Sequence, residues 1–198
     1  FYPIIIILTY LRVFIKKEDP IRFKEKIFSS NFFCNKNKNK KLIWVHAASV
    51  GEVQSIFPLL LKFNKERKEI EFLITTLTVS AAKIVERKIK KHKNFHHRYF
   101  PLDIDFLMKK FLNVWKPDLI MFVDSEIWPN LITQIKKRNI PSALINARIT
   151  KKTFTRWMLI SRFAKKIFST FDLCLASSNE TMKYLKDLNE KNIKYIGN

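Results

Sequence analysis

Leu42-Ile43-Trp44-Val45-His46-Ala47-Ala48-Ser49-Val50-Gly51-Glu52 is the stretch that decides the fold. Its first six residues are apolar apart from His46 and do not alternate with polar residues, as suits a strand covered on both faces. A Ser/Gly turn follows, and then helical spacing over residues 53–65. A strand that passes directly into a helix is the repeating unit of a parallel sheet. The unit recurs along the chain: further strands are predicted at 72–76, 98–100, 119–123, 143–146, 173–176 and 194–196, with helices at 80–91, 104–115 and 127–137. Pro101, Pro117 and Pro141 sit at the edges of these elements, where proline is tolerated. The expected fold class is α/β, a Rossmann-like doubly wound parallel sheet over residues 42–198. Residues 1–41 are read as a separate N-terminal region joined by an Asn/Lys-rich loop.

In open sheets of this kind the ligand crevice lies beyond the carboxyl ends of the strands, and the polar residues of this sequence gather there. After the first strand come His46, Ser49, Gly51 and Glu52. The chain has only two glycines, so one at this turn is informative: glycine permits a positive φ or the close approach of another group. A helix entrance of this type leaves backbone N–H groups for an anion; equally, Glu52 can simply complement the helix dipole. The turn is neither a P-loop nor a G-x-G-x-x-G fingerprint. Thr75, Thr76 and Thr78 close the second strand, as helix caps or as ligand contacts. The fourth strand runs into Asp124-Ser125-Glu126-Ile127-Trp128-Pro129-Asn130. Carboxylates directly after a buried strand are costly unless paired or used. Trp128 offers a flat apolar face, Asn130 a bidentate hydrogen-bonding group, and Arg148 a fixed cation after the fifth strand.

With 47% hydrophobic and 28% charged residues over 198 positions, the chain is globular rather than disordered. Cys34 and Cys174 are far apart and show no metal-ligand spacing, so neither a disulfide framework nor a metal site is expected. The formal charge of +21 is concentrated in residues 12–41, 83–98 and 148–169. Such patches attract nucleic acid, anionic membrane or phosphorylated ligands. A nucleic-acid role lacks a binding motif, and the aromatics lie in apolar runs rather than among the basic clusters. Residues 1–15 are apolar apart from Arg12 and are followed by Lys16-Lys17. They are shorter than the roughly 20 residues of a span and precede no cleavage site. Three readings stay open: the end of a longer anchor, an interfacial helix, or a buried N-terminal helix. The basic flank favours the cytoplasmic side for the rest of the chain. The chain has no initiator Met and stops at Ile196-Gly197-Asn198 after an apolar stretch, so it is expected to be part of a longer protein.

The segments 44–53, 75–78, 116–130 and 140–149, together with Lys17-Glu18-Asp19, Arg22 and Glu25, resemble the 3-deoxy-D-manno-octulosonic acid (Kdo) transferases. Two departures stand out. Asp124-Ser125-Glu126 replaces the family's usual Glu-Thr-Glu, and Val79-Ser80-Ala81 replaces a Pro-Thr-Gly-like continuation. The resemblance implies the N-terminal half of a GT-B glycosyltransferase whose C-terminal donor domain is absent from these residues. It implies an inverting transfer of Kdo from CMP-Kdo to a lipid A precursor, with no metal or cofactor. Glu52 would be the catalytic base, and His46, Ser49, Gly51, Thr75, Thr76, Thr78, Glu126, Trp128, Asn130 and Arg148 would bind the acceptor or support the site. The partners implied are the glycolipid, an anionic membrane surface and the donor domain; the alternative is a non-catalytic remnant that binds anionic lipid.

Overall fold

A computed structural model describes residues 2–188 and 192–197. Phe1, at the start of the apolar segment, and Asn198, at the chain's end, lie outside the described residues, as do residues 189–191. Seven strands form one parallel sheet: β1 (Lys41–His46), β2 (Ile70–Thr76), β3 (Phe95–Tyr99), β4 (Leu119–Val123), β5 (Ser142–Ala147), β6 (Leu173–Ala176) and β7 (Ile193–Tyr195). Their order across the sheet is β3-β2-β1-β4-β5-β6-β7. The chain winds outward from β1 in one direction and returns to β4 to wind in the other. The doubly wound Rossmann-like fold expected from the strand–helix repeat is therefore the fold observed. Its topological switch point falls between β1 and β4, where such sheets hold ligands.

Helices α3 (Val50–Glu66) and α4 (Val79–Ile89) cover one face. Val53, Ile56, Phe57 and Leu60 pack there with Val45, Phe72 and Ile74. Helices α5 (Asp105–Trp115), α6 (Pro129–Lys137), α7 (Lys151–Met158), α8 (Ser161–Phe168) and α9 (Asn179–Leu188) follow on the other half of the winding. Trp44, Phe111, Trp115, Phe122 and Phe168 fill the core beneath them. Helix α5 stops at Lys116, which takes a left-handed φ of 45° directly before Pro117, a stop signal in which the cap turns the chain and the proline cannot continue the helix.

Several boundaries differ from the sequence expectation. The first sheet-covering helix begins at Val50 rather than 53, because Ser49 caps it, so Gly51 lies inside its first turn. The third strand is Phe95–Tyr99 rather than 98–100. His96 and His97 made its first half look polar, yet both are hydrogen-bonded, on opposite faces of the strand: His96 Nε2 lies 2.8 Å from Glu71 and His97 Nε2 2.9 Å from Thr76 Oγ1. Helix α6 starts at Pro129, a first-turn position that needs no N–H.

Residues 2–31 are fastened to the β3 side of the sheet. Helix α1 (Tyr2–Phe14) sets the Tyr2 ring edge-on against Phe106 at 5.2 Å and Tyr10 against Phe23 at 5.0 Å. After α2 (Lys24–Ile27) and a 3-10 turn (Ser29–Asn31), a linker leads to β1. Arg22 makes a two-pronged contact with Glu25 at 2.7 and 2.9 Å, and Glu25 accepts the Tyr99 N–H at 2.9 Å. The outer side of α1 is apolar and exposed, Ile4, Leu11 and Phe14 being 58, 55 and 85% accessible. Its 13 residues span ~20 Å at 1.5 Å per residue. Among the described residues no helix is long and apolar enough to cross a membrane.

Candidate active site

β1 delivers His46 to the carboxyl edge of the sheet, and the next residues close a tight cap. Ser49 Oγ accepts the Glu52 N–H at 3.4 Å and donates to Glu52 Oε1 at 2.7 Å. The Ala48 N–H donates to Glu52 Oε2 at 2.8 Å. This is a capping box in which the third helical residue reaches one residue further back than usual. Of the N–H groups at this helix entrance, that of Ala48 is thus directed at the protein's own carboxylate and that of Glu52 at the Ser49 hydroxyl. Burial raises the Glu52 carboxyl above its ordinary value, against the lowering effect of its Ser49 and Ala48 bonds; the charge of Glu126 raises it further. Gly51 is exposed, has no positive φ, and a Cβ added there would meet nothing within 4 Å. The fold does not demand glycine at this point.

Glu126 faces this turn from the far side of the switch point. Its Oε2 accepts from Trp128 Nε1 at 2.9 Å and lies 3.3 Å from His46 Nε2. His46 is fully buried and stacks on Phe100 with 4.0 Å between ring centroids. Its Nδ1 is 3.0 Å from Thr75 Oγ1, which also accepts from Trp44 Nε1 at 2.9 Å. The same Nδ1 lies 3.2 Å from the Thr75 carbonyl, and the buried Nε2, although 3.3 Å from Glu126 Oε2, makes no hydrogen bond. Thr75→Val keeps the shape but strips Trp44 Nε1 and His46 Nδ1 of the Thr75 hydroxyl. A loss of about 1–3 kcal/mol is expected, read from the midpoint of urea denaturation.

The remaining candidates separate. Thr76 is buried against His97. That histidine is held neutral, its pKa pushed down to about 3 by burial and by the charges of Arg22 and Arg98. Thr78 caps α4 by accepting the Ala81 N–H at 3.2 Å. Asn130 is engaged with Asp103: its amide Nδ2 donates to the Asp103 carbonyl at 2.6 Å and its backbone N–H to the carboxylate at 2.9 Å. Arg148 is exposed, and its charge acts on Asp124, a residue at a φ of 64° whose carboxyl is raised by burial. Asp124 Oδ1 is buried without a hydrogen-bond partner. Asn146, at a φ of 53°, sits in the irregular stretch where β5 pairs with β6. Left-handed non-glycine residues are costly and cluster at functional edges.

The structure therefore brings His46, Ser49, Glu52, Thr75, Glu126 and Trp128 together, leaves Gly51 at their rim, and places Thr76, Thr78, Asn130 and Arg148 around them. Two participants were missed in the sequence. Asp103 holds the entrance of α6 from 27 residues away, and Phe100 supplies the platform for His46; Asp103 followed a predicted strand and carried that signal. Among the described residues no group of three or more His, Cys, Asp or Glu is placed to hold a metal ion.

A sheet of this order, with carboxylates gathered at its switch point, is doubly wound and matches the Rossmann-like N-terminal fold of GT-B glycosyltransferases. Solved structures share the architecture. A UDP-N-acetylglucosamine 2-epimerase superposes with a TM-score of 0.57 at 15% identity, over 80% of this chain and 48% of that one. A putative enzyme of the same name from Listeria monocytogenes gives 0.53 at 11% identity, over 74% and 41%. At such identities the likeness is one of fold. The family model described as 3-deoxy-D-manno-octulosonic-acid transferase (kdotransferase) matches residues 22–198, and the chain belongs to that family. A 3-deoxy-D-manno-octulosonic acid transferase of Rickettsia bellii is 35% identical over 197 residues, covering 99% of this chain and 46% of the relative. The transferase of the same name from Haemophilus influenzae is 34% identical over 77% of this chain and 37% of its own length. A probable mitochondrial one from Arabidopsis thaliana is 35% identical over 67% and 30%. The chain spans less than half the length of these relatives.

Proposed function

We propose that this domain is the acceptor-side half of an inverting glycosyltransferase that moves Kdo from CMP-Kdo to a lipid A precursor. Transfer takes place at the cytoplasmic face of the inner membrane. The observation that carries the reading is the Glu52 carboxylate at the switch point, fixed by Ser49 and Ala48, partly buried, and raised in pKa by that burial and by Glu126. A base needs a fixed position and a proton affinity above that of a solvated carboxylate. Glu52 takes the proton of the acceptor hydroxyl as its oxygen attacks the anomeric carbon, and CMP leaves on the donor side. Glu126, anchored by Trp128 and facing His46, orients the sugar or supports Glu52. The donor domain supplies the binding of CMP-Kdo. The exposed apolar side of α1 and the acid-free basic stretch 148–169 suit an anionic bilayer that presents the glycolipid. The test is transfer from CMP-Kdo to a lipid A precursor by the enzyme carrying both domains; absence of transfer there favours the remnant reading.

Gly51→Ala separates site from scaffold. Open space around Gly51 and its helical backbone lead us to expect a gain of about 0.5–1 kcal/mol in stability. A methyl at the rim of the crevice is expected at the same time to raise the KM for the acceptor. Unchanged KM alongside the gain in stability would remove Gly51 from the acceptor's path.

A further inference from the structure

Beside the carboxylate cluster, between α1 and the ends of β2 and β3, lies a cavity of about 350 Å³. Ile5, Leu8, Leu77, Phe100, Leu102 and Trp128 form its apolar walls. Its polar side chains already have protein partners. Thr9 donates to the Ile5 carbonyl at 2.8 Å, and Arg12 Nε to Glu18 at 2.9 Å. Lys26 Nζ donates to Glu18 at 2.5 Å and to the Leu77 carbonyl at 2.7 Å, and Thr78 Oγ1 is the α4 cap. Glu18 and Lys26 are committed to each other, and the walls from Ile5 and Leu8 to Trp128 are apolar, so a hydrocarbon fits this lining without displacing a bond. The volume falls within the range of small-molecule pockets.

Two neighbours indicate where the chain comes from and where it leads. Helix α1, the outer wall, turns exposed Ile4, Leu11 and Phe14 away from the domain, so the mouth opens beside the surface best suited to lipid. Trp128, an inner wall, hydrogen-bonds Glu126, which faces His46. We infer that this cavity takes a single hydrocarbon chain of a membrane lipid, and that on the functional reading above the chain is an acyl chain of the acceptor. Seating one chain under α1 would anchor a glycolipid beside Trp128 and let its polar head reach the Glu52–Glu126 crevice.

The test uses this chain and a lysophosphocholine with one dodecanoyl tail bearing a photoreactive diazirine, kept below its micelle concentration. Saturable labelling is expected on Leu8, Leu102 or Trp128. Leu102→Trp and, separately, Leu8→Trp are each expected to lower that labelling at least about tenfold with unchanged far-ultraviolet circular dichroism; Leu8 lies on α1 at the mouth, so its enlargement does not strain the sheet. Labelling confined to Ile4, Leu11 and Phe14, or undiminished by either well-folded variant, would overturn the assignment. The probe carries no sugar, so the two readings fail separately. Labelling in the cavity without Kdo transfer by the two-domain enzyme sinks the function and keeps the cavity; transfer without labelling does the reverse.

Discussion

Glu52→Gln is expected to lower Kdo transfer by the two-domain enzyme about 10²–10⁴-fold, the usual contribution of a positioned general base, with acceptor binding preserved. The substitution keeps the size of the side chain. The amide oxygen can still accept the Ala48 N–H, and the amide nitrogen can donate to Ser49 Oγ, so the cap on α3 survives. The pH profile gives a second readout. A base works ionised, so the rate falls as pH drops through its pKa; burial, aided by Glu126, sets that value above the ordinary carboxylate range. The acid limb should therefore lie higher than for a solvated Glu, and Glu126→Gln should move it down. The sign for stability runs the other way. A carboxyl raised in the folded state holds its proton where the unfolded chain has released it, so stability falls as pH rises through that window. Glu52→Gln removes this dependence, and a variant that is inactive yet no less stable at neutral pH separates chemistry from folding. Near-normal turnover with acceptor bound would exclude Glu52 as the base.

The sheet was legible because its strands are apolar runs bounded by helical spacing, as at Leu42–Val45 and Leu119–Val123. Strand β3 was shifted because His96 and His97 satisfy their polar groups against residues distant in sequence, such as Arg22, Glu71 and Thr76. The crevice was legible as a position, since carboxylates follow β1 and β4 and strand order places both at the switch point. Individual roles were less so. Asn130 and Thr78 have the chemistry of ligand contacts, but helix entrances need the same chemistry, and that is where the structure uses them. The link from Trp44 through Thr75 to His46 depends on strand register, which pairs His46 with Thr75 and which local spacing does not reveal.

The second large effect is expected far from the carboxylates, at Lys26. Lys26 Nζ and Glu18 face each other at 2.5 Å with side chains only 8% exposed, and the same ammonium donates to the Leu77 carbonyl and lies 4.9 Å from the centre of the Tyr99 ring. Removing one member of a buried pair leaves the other charge desolvated, so Lys26→Ala should cost about 3–5 kcal/mol. Arg12, which also contacts Glu18, is more than half exposed and compensates little. The double variant Glu18→Gln, Lys26→Met removes both charges while keeping the bulk, and most of the loss should return. Urea denaturation of this chain reads both as shifts in midpoint at constant slope. The pair ties residues 18–26 to the loop after β2, which holds Leu77 and Thr78 beside the cavity. A loosened clamp should therefore also lower saturable labelling by the acyl probe under conditions where the variant is still folded. A loss under about 1 kcal/mol, the range of a surface pair, would mean that the α1–α2 region leans on the sheet without being locked to it.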